Sequence, residues 1–413
     1  MNSYHILMLL ENNPYPQDTR VRLEARALAD AGYRVAIICP VEKPQPWQES
    51  LNGVDVYRYP APPEFDGFFG YMLEYGYSLV TIFFLTWYVY FRRGFEIIHS
   101  HNPPDIFVFV ALVFKLLGKR YVFDHHDLSP EVYQARQEGD GYAIVHKALI
   151  AVEKLSCRVA THVIATNESY KQLDVERSGI SPEKVTIVRN APDFSRLTVL
   201  EPDPELTKSG KTLIGYVGVM GYQDGLDYLL RALHHLAVDL KRPDFICYFL
   251  GSGAELENLK QLAVELGIGE NVVFPGWLNG AELSRYLSSM DICVDPDPSN
   301  PFNDRSTMIK MMEYMAFGKP IVAFDLPEHR FTAHDAALYV ADNNELEFAK
   351  AIERLMDNPA LCAEMKQLGR ARIADELNWE CSAANLIGVY RKLLETDIIS
   401  PKKIEEVAKI PQT

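Results

Sequence analysis

The sequence predicts an α/β protein of two doubly wound, Rossmann-like domains, and three observations carry that prediction. Short apolar segments alternate with amphipathic ones almost throughout the 413 residues, the pattern of right-handed βαβ units around parallel sheets. The apolar segments fall into two series. Between the series lies "LTVLEPDPELTKSGK" (197–211), acidic, proline-containing and ending near Ser-Gly, which suits an interdomain connection.

In chain order, the first strand is "HILMLL" (5–10); it follows no basic stretch and is too short for the apolar part of a signal peptide. The loop "NPYPQDTR" (13–20) comes where nucleotide-binding proteins often place glycines, and it has none. Asp18 is a good N-cap for the helix that follows, while Arg20 and Arg22 either approach a ligand cleft or pair with Glu24. Further strands are "RVAIIC" (34–39), "VDVYRY" (54–59), "FEIIHS" (95–100), "RYVFDH" (120–125), "THVIAT" (161–166) and "KVTIVR" (184–189). Within this series "FFGYMLEYGYSLVTIFFLTWYVYFRR" (68–93) has only Glu74 as a charge before its closing arginines, and it approaches the roughly 20 apolar residues that span a bilayer. Because it sits inside a domain and feeds a strand, a packed or partly exposed helix is expected, with peripheral membrane contact as a further role.

The second series runs "LIGYVG" (213–218), "FICYFL" (245–250), "NVVFPG" (271–276), "DICVDP" (291–296), "PIVAFD" (320–325) and "AALYV" (336–340). The expected divisions are a first domain over 1–197, a linker over 198–211, a second domain over 212–384, a helix over 385–398 that packs back on the first domain, and a tail over 399–413.

Composition excludes several function classes. With 41 basic against 56 acidic residues the net charge is -15, and no basic block is large enough to neutralise many phosphates, so nucleic acid is not an expected partner. The six cysteines are scattered without a C-x-x-C pair, which fits a reduced, cytoplasmic chain. His99, His101, His125 and His126 lie near carboxylates but lack the spacings of a zinc site, and no metal is expected.

Candidate chemistry concentrates at strand ends. In "NDRSTMIKMMEYMAFGKPIV" (303–322) a helix is expected over 306–317, stopped by Gly318 and Pro320, with Ser306, Lys310 and Glu313 on one face. A hydroxyl, a cation and a carboxylate beside a helix N-terminus suit a sugar diphosphate: backbone N–H groups and Lys310 would hold phosphate, and Glu313 would accept from ribose hydroxyls. The plain alternative is an N-cap at Ser306 and a surface Lys310–Glu313 pair worth roughly 0.3 kcal/mol. "HSHNPPD" (99–105) and "FDHHDLSPEVY" (123–133) each follow a strand, "GSGAEL" (251–256) is a short glycine loop, and "DPDP" (295–298) holds an Asp-x-Asp expected to serve a turn or cap.

The segment "EYMAFGKPIV" (313–322) resembles the E-[AY]-M-A-x-G-x-P-[IV]-[VI] signature of family 4 retaining glycosyltransferases, enzymes of the GT-B architecture in which two domains face across a cleft. The resemblance extends through "NPYPQDTRVRLEARALADAGYRVAII", "VIATNESY", "VRNAPDF", "YVGVMGYQDGLDYLLRAL", "CYFLGSGAELENL", "NVVFPGWL" and "NWECSAANLIGVYRKLL", in the family's order. It implies transfer from a nucleotide diphosphate sugar to a saccharide or lipid-linked acceptor in cell-envelope or polysaccharide biosynthesis, without cofactor or metal. It also implies site residues: His126, Asp127 and Lys310 at the reaction; Gly218, Gly221, Gly251, Asp304, Arg305, Ser306, Thr307 and Glu313 for the donor; Arg20, His101 and Glu131 toward the acceptor or cleft.

Two departures stand out. The Arg and Lys that family members often carry after the second domain's first strand are replaced by Val219 to Gln223, and the first glutamate of the Glu-x7-Glu pattern is Arg305. The shortened pattern resembles a branch with a lysine three residues before the retained glutamate, so Lys310, with Arg305, is expected to neutralise the diphosphate while Asp304 or Asn303 meets the sugar. A nucleotide-sugar epimerase of the same fold, or a non-catalytic nucleotide-sugar-binding or scaffold protein, stays open as an alternative. The expected location is cytoplasmic, peripheral on the inner membrane face.

Overall fold

Strands buried on both faces of a parallel sheet read as unbroken apolar runs, and each run named above holds one. The structure, a computed structural model, describes residues 4–41, 45–61, 67–136, 142–192, 197–341 and 343–395. The expected tail over 399–413 and the last residues of 385–398 lie outside the described residues. The chain sorts into two compact units, one of Met1–Pro130, Gly141–Arg189 and Trp379–Thr413, the other of Glu131–Asp140 and Asn190–Asn378.

The first unit's sheet consists of β1 (His5–Leu9), β2 (Arg34–Val41), β3 (Gln48–Leu51), β4 (Val54–Pro60), β5 (Ile97–His101), β6 (Arg120–His125), β7 (His162–Ala165) and β8 (Val185–Ile187). Their order is β3-β4-β2-β1-β5-β6-β7-β8, parallel except for β3, which pairs antiparallel with β4 at the edge. The chain leaves β1 for β2 on one side and β5 on the other, so the topological switch lies between β1 and β5. Asp18 caps the helix Thr19–Asp30 by accepting from the Val21 N–H at 2.9 Å. The buried face of that helix, Val21, Ala25 and Leu28, shares a core with Ile6, Ile37 and with Leu386, Val389 and Tyr390. Those last three belong to the helix Trp379–Glu395, which starts ahead of the Asn385 expected from sequence.

The long apolar segment is one helix, Gly67–Arg92. Ser78, Ile82, Thr86 and Val89 are buried, whereas Leu73, Tyr77, Val80, Phe84 and Phe91 are exposed. No described helix is long and apolar enough to cross a membrane.

The second unit's sheet has β9 (Thr212–Val217), β10 (Phe245–Leu250), β11 (Val272–Gly276), β12 (Ile292–Asp295), β13 (Ile321–Phe324) and β14 (Ala337–Val340), all parallel, in the order β11-β10-β9-β12-β13-β14. Its switch point is between β9 and β12. The stretch expected as a linker is laid along the helix Gly280–Ser289: the N–H groups of Thr198, Leu200 and Asp203 donate to the hydroxyls of Ser284, Ser288 and Ser289 at 2.8 to 3.0 Å. Asp203 then caps the short helix Pro204–Thr207. Serines on one helix face thus satisfy a backbone that has no sheet partner.

Candidate functional site

In the second unit the chemistry collects at the switch point. β12 ends in Asp295, fully buried, and Asp297 follows with 1 % exposure. Lys310 reaches between them, its Nζ 2.8 Å from Asp297 Oδ1 and 3.2 Å from Asp295 Oδ1, and 4.9 Å from the centre of the Tyr216 ring. On the far side His329 donates from Nδ1 to the Phe324 carbonyl (2.9 Å) and sets Nε2 3.5 Å from Asp295 Oδ2.

This corrects two expectations. The Asp-x-Asp, expected to serve a turn or cap, is the counter-ion of Lys310, and Lys310 is already paired where a free phosphate-binding cation was expected. Burial alone would raise Asp295, yet the Lys310 ammonium outweighs it and holds its carboxyl below the usual range. Burial and the neighbouring Asp295 charge push Asp297 well up. Lys310, despite burial, is held protonated by both carboxylates. Asp295 and Asp297 thus face one ammonium as a coupled pair, the first held down and the second pushed up.

The helix behind Lys310 also begins later than expected. Asn303–Arg305 form a tight turn whose Asn303 carbonyl accepts from the Ser306 N–H; the backbone then runs extended through Ser306 and Met308, and the helix is Ile309–Ala316. The Ser306 hydroxyl donates back to the Phe302 carbonyl at 2.8 Å, so it closes the turn and caps no helix. Ser306 accordingly does not share the helical face of Lys310 and Glu313. Met308 makes no side-chain cap, and of the first N–H groups of this helix that of Met311 finds the Met308 carbonyl at 3.2 Å, ahead of the regular helical bonds. Thr307 donates to Glu328 Oε2 at 3.2 Å, and Arg305 donates to the Pro301 carbonyl at 2.7 Å. The Asp304 Oδ1 atom is buried without a hydrogen bond. Glu313 has neither a hydrogen-bond nor an ion-pair partner among the described residues, and burial pushes its carboxyl up to about 7.

The three glycines expected at the donor have other work in this structure. The N–H of Gly218 donates to Leu250 O, that of Gly221 to Asp224 Oδ2 and that of Gly251 to Gly276 O, at 2.9 to 3.1 Å. A Cβ on Gly251, whose φ is +148°, would strike the Gly218 carbonyl oxygen, so this glycine lets the loops after β9 and β10 touch.

In the first unit a second buried cluster lies beyond the carboxyl ends of β5 and β6. The register sets His101 beside Asp124. Arg20 grips Asp124 in bidentate fashion, Nε to Oδ2 and Nη2 to Oδ1, both at 2.7 Å, and lies 3.1 Å from Glu24. Asp124 Oδ2 also meets Nδ1 of His101 at 2.9 Å and Nδ1 of His126 at 3.2 Å. His99 Nδ1 bonds the Tyr390 hydroxyl at 2.7 Å. Arg20 and His101, expected to border the acceptor, are buried structural partners of Asp124; of this group His126 keeps 15 % side-chain exposure. Asn102 Oδ1 accepts from the N–H groups of His126 (2.8 Å) and Asp127 (3.1 Å), fixing their loop. Glu131 is buried in the first turn of the helix Ser129–Arg136. His125 points elsewhere: burial opposes its charge, but Asp174 at 2.6 Å outweighs burial and raises it to about 10.

Three described groups have donors close enough to share a cation: Glu24, His99, His101 and Asp124; His125, Cys157 and Asp174; and Asp295, Asp297 and His329. Each already contains a positive charge of the protein's own, from Arg20, His125 and Lys310 respectively. Sequence reasoning missed Asp124, Tyr390, Asn102, Tyr216 and His329 as partners. The one available signal was alternation: His99 and His101, like Asp124 and His126, are two apart at a strand end and share a face.

Comparison with known proteins places this geometry. Residues 17–191 match the glycosyl transferase 4-like domain, and residues 211–358 match the model for glycosyl transferases group 1. An uncharacterized glycosyltransferase of Methanocaldococcus jannaschii is 25% identical over 387 residues, covering 90% of this chain and 93% of that one. The 2-deoxystreptamine glucosyltransferase of Streptomyces kanamyceticus is 24% identical over 323 residues, covering 75% and 81%. Among solved structures, sucrose-phosphate synthase from Thermosynechococcus elongatus superposes with a TM-score of 0.78 at 21% identity, covering 95% of this chain and all (100%) of that one. Two family models in the right order, full-length relatives and two parallel-sheet α/β units agree, and the chain belongs to the family 4-type glycosyltransferases of the GT-B fold.

Proposed function

We propose that the enzyme moves a sugar from a nucleotide diphosphate sugar to a saccharide acceptor, free or lipid-linked, with retention of anomeric configuration and without a metal ion, in cell-envelope or polysaccharide synthesis. The observation that carries the donor half is the pairing, on one short helix, of an uncapped N-terminus with an unpartnered Glu313. Open N–H groups and the helix dipole suit a diphosphate, and a carboxylate one turn further on suits two ribose hydroxyls. Thr307 and Ser306 line the approach, and Asp304, with its orphaned Oδ1, is the candidate for a sugar hydroxyl in place of the absent glutamate. Arg305 lies beside them. Lys310 acts from behind, its ammonium held in place by Asp295 and Asp297. His126 and Asp127 are assigned to the transferred sugar, and Glu131 to its neighbourhood. The Anabaena protein HepE, whose structure with UDP-glucose has a TM-score of 0.70 to this chain at 14% identity, supports a nucleotide sugar as the donor class.

In this reading the acceptor attacks the face from which the diphosphate departs, and the leaving phosphate takes the acceptor proton, so no protein base is required. The exposed stripe Leu73, Tyr77, Val80, Phe84 and Phe91 favours peripheral contact with a membrane, where a lipid-linked acceptor would lie. A thermal-shift screen against nucleoside diphosphates and their sugars, followed by transfer assays, tests the function. The expected result is a raised Tm with one base and release of its diphosphate on addition of acceptor. Isomerised donor without transfer would mean an epimerase, and binding without any turnover would mean a scaffold.

A further inference from the structure

We propose that Asp124 is the positioning residue of the first unit's site: pinned by Arg20, it fixes the His126 ring with Nδ1 turned inward and leaves Nε2 for the donor sugar. This rests on the reading that His126 meets that sugar. The argument is one of donors and acceptors. Asp124 is fully buried, and its two oxygens receive Arg20 Nε and Nη2 at 2.7 Å, His101 Nδ1 at 2.9 Å and His126 Nδ1 at 3.2 Å. A carboxylate only accepts, so both rings must carry their proton on Nδ1. The bidentate Arg20 grip removes the rotational freedom of the carboxylate, and Asn102 removes that of the loop by accepting from the His126 and Asp127 N–H groups. His126 Nε2 has no partner among the described residues. The ring is thus held in one tautomer and one orientation before any ligand arrives, the role that an aspartate plays behind a reacting histidine.

The charges around the ring favour its protonated form. Burial lowers His126, but the Asp124 carboxylate, helped by Asp127, raises it more, against the opposing charge of Arg20. Burial lowers His101, and burial raises Glu24 on the same helix as Arg20, so the charged form of neither is favoured beside the ring. Below the raised His126 pKa, Nε2 offers a proton to a sugar hydroxyl. Raising pH through the His126 pKa removes that donor.

Two measurements on the full-length chain test the assignment. In ¹⁵N-histidine NMR of the unliganded protein, His126 should keep Nδ1 protonated throughout and titrate above the ordinary value of about 6.5. Asp124→Asn should move that titration, and the alkaline limb of kcat, down by about one pH unit or more. It should also cut kcat by about tenfold or more, with a smaller change in KM. In a His126→Gln background the same substitution should cost little further, because the two residues act as one unit. Should Asp124→Asn not fold, Arg20→Lys, which keeps the charge and loses the fork, is expected to shift His126 in the same direction by less. A His126 protonated on Nε2 with Nδ1 bare would overturn the proposal, as would an Asp124→Asn loss of equal size with and without His126. The NMR arm needs no substrate, so a protein with no transferase activity would sink the functional reading without deciding this one.

Discussion

Glu313 shows how one side chain trades stability for binding. Its carboxyl is raised to about 7 by burial alone, since no cation or hydrogen-bond donor among the described residues stands by it. An unfolded glutamate releases its proton near pH 4.5, so between that value and about 7 the folded state binds more protons and stability falls as pH rises. Glu313→Gln removes this term. The variant should therefore melt higher than wild type at pH 8, with the gap closing toward pH 5, in parallel thermal melts. The same change should weaken nucleotide binding by about tenfold to a hundredfold, the worth of a charge-assisted bond of about 1.5 to 3 kcal/mol. A variant neither stabilised at pH 8 nor weakened in binding would remove Glu313 from the donor site. At this scale the sequence was legible for the Asp18 cap, whose setting is local. It offered Glu24 as a partner of Arg20, which the structure has at 3.1 Å, but was silent on Asp124 and on the partner of His99, because Asp124 and Tyr390 lie 104 and 291 residues away along the chain. Ion pairing across such separations leaves no pattern in either segment.

Among the elements, strands were the most legible and helix starts the least. A buried parallel strand needs apolar residues on both faces, which is visible directly; β3, reading Gln48–Leu51 at an edge, needs none and was missed. The start at Ile309 was misplaced because Ser306 has the chemistry of an N-cap, and only the turn at Asn303–Arg305, held by Asn303 bonds to Gln223 and Pro298 carbonyls at 2.9 Å, diverts it. The helix Gly67–Arg92 carries its own prediction. Leu73, Tyr77, Val80, Phe84 and Phe91 follow one another at intervals of three, four or seven residues, a stripe opposite the buried Ile82 and Val89. Burying two phenylalanines in lipid is worth about 1.5 to 3 kcal/mol each. Phe84→Ser with Phe91→Ser should then cut partition onto anionic lipid vesicles by at least about tenfold in a sedimentation assay while leaving Tm almost unchanged. Equal partition of variant and wild type, or none by either, would remove the membrane role.

On the scale of the whole molecule, the chain's last described helix is what makes the first unit depend on the far end of the sequence. Trp379–Glu395 places Leu386, Val389, Tyr390, Leu393 and Leu394 in the core formed by β1, β2 and the helix Thr19–Asp30, and Tyr390 ties the buried His99. Sequence reading expected a helix over 385–398 that packs back on the first domain but could not see the hydroxyl-to-imidazole bond. Several large apolar side chains at about 2 to 5 kcal/mol each exceed the roughly 5 to 15 kcal/mol by which a domain is stable. A chain ended at Asn378 should therefore lose the first unit's cooperative melting transition and keep the second's, read by calorimetry. Tyr390→Phe is the gentler test: it keeps the packing and orphans His99 Nδ1, so a loss of about 1 to 3 kcal/mol confined to the first unit's transition is expected. If both transitions moved together, or the truncated chain melted like the intact one, the helix would not be part of the first unit's core, and the buried cluster around Asp124 would have to be stable without it.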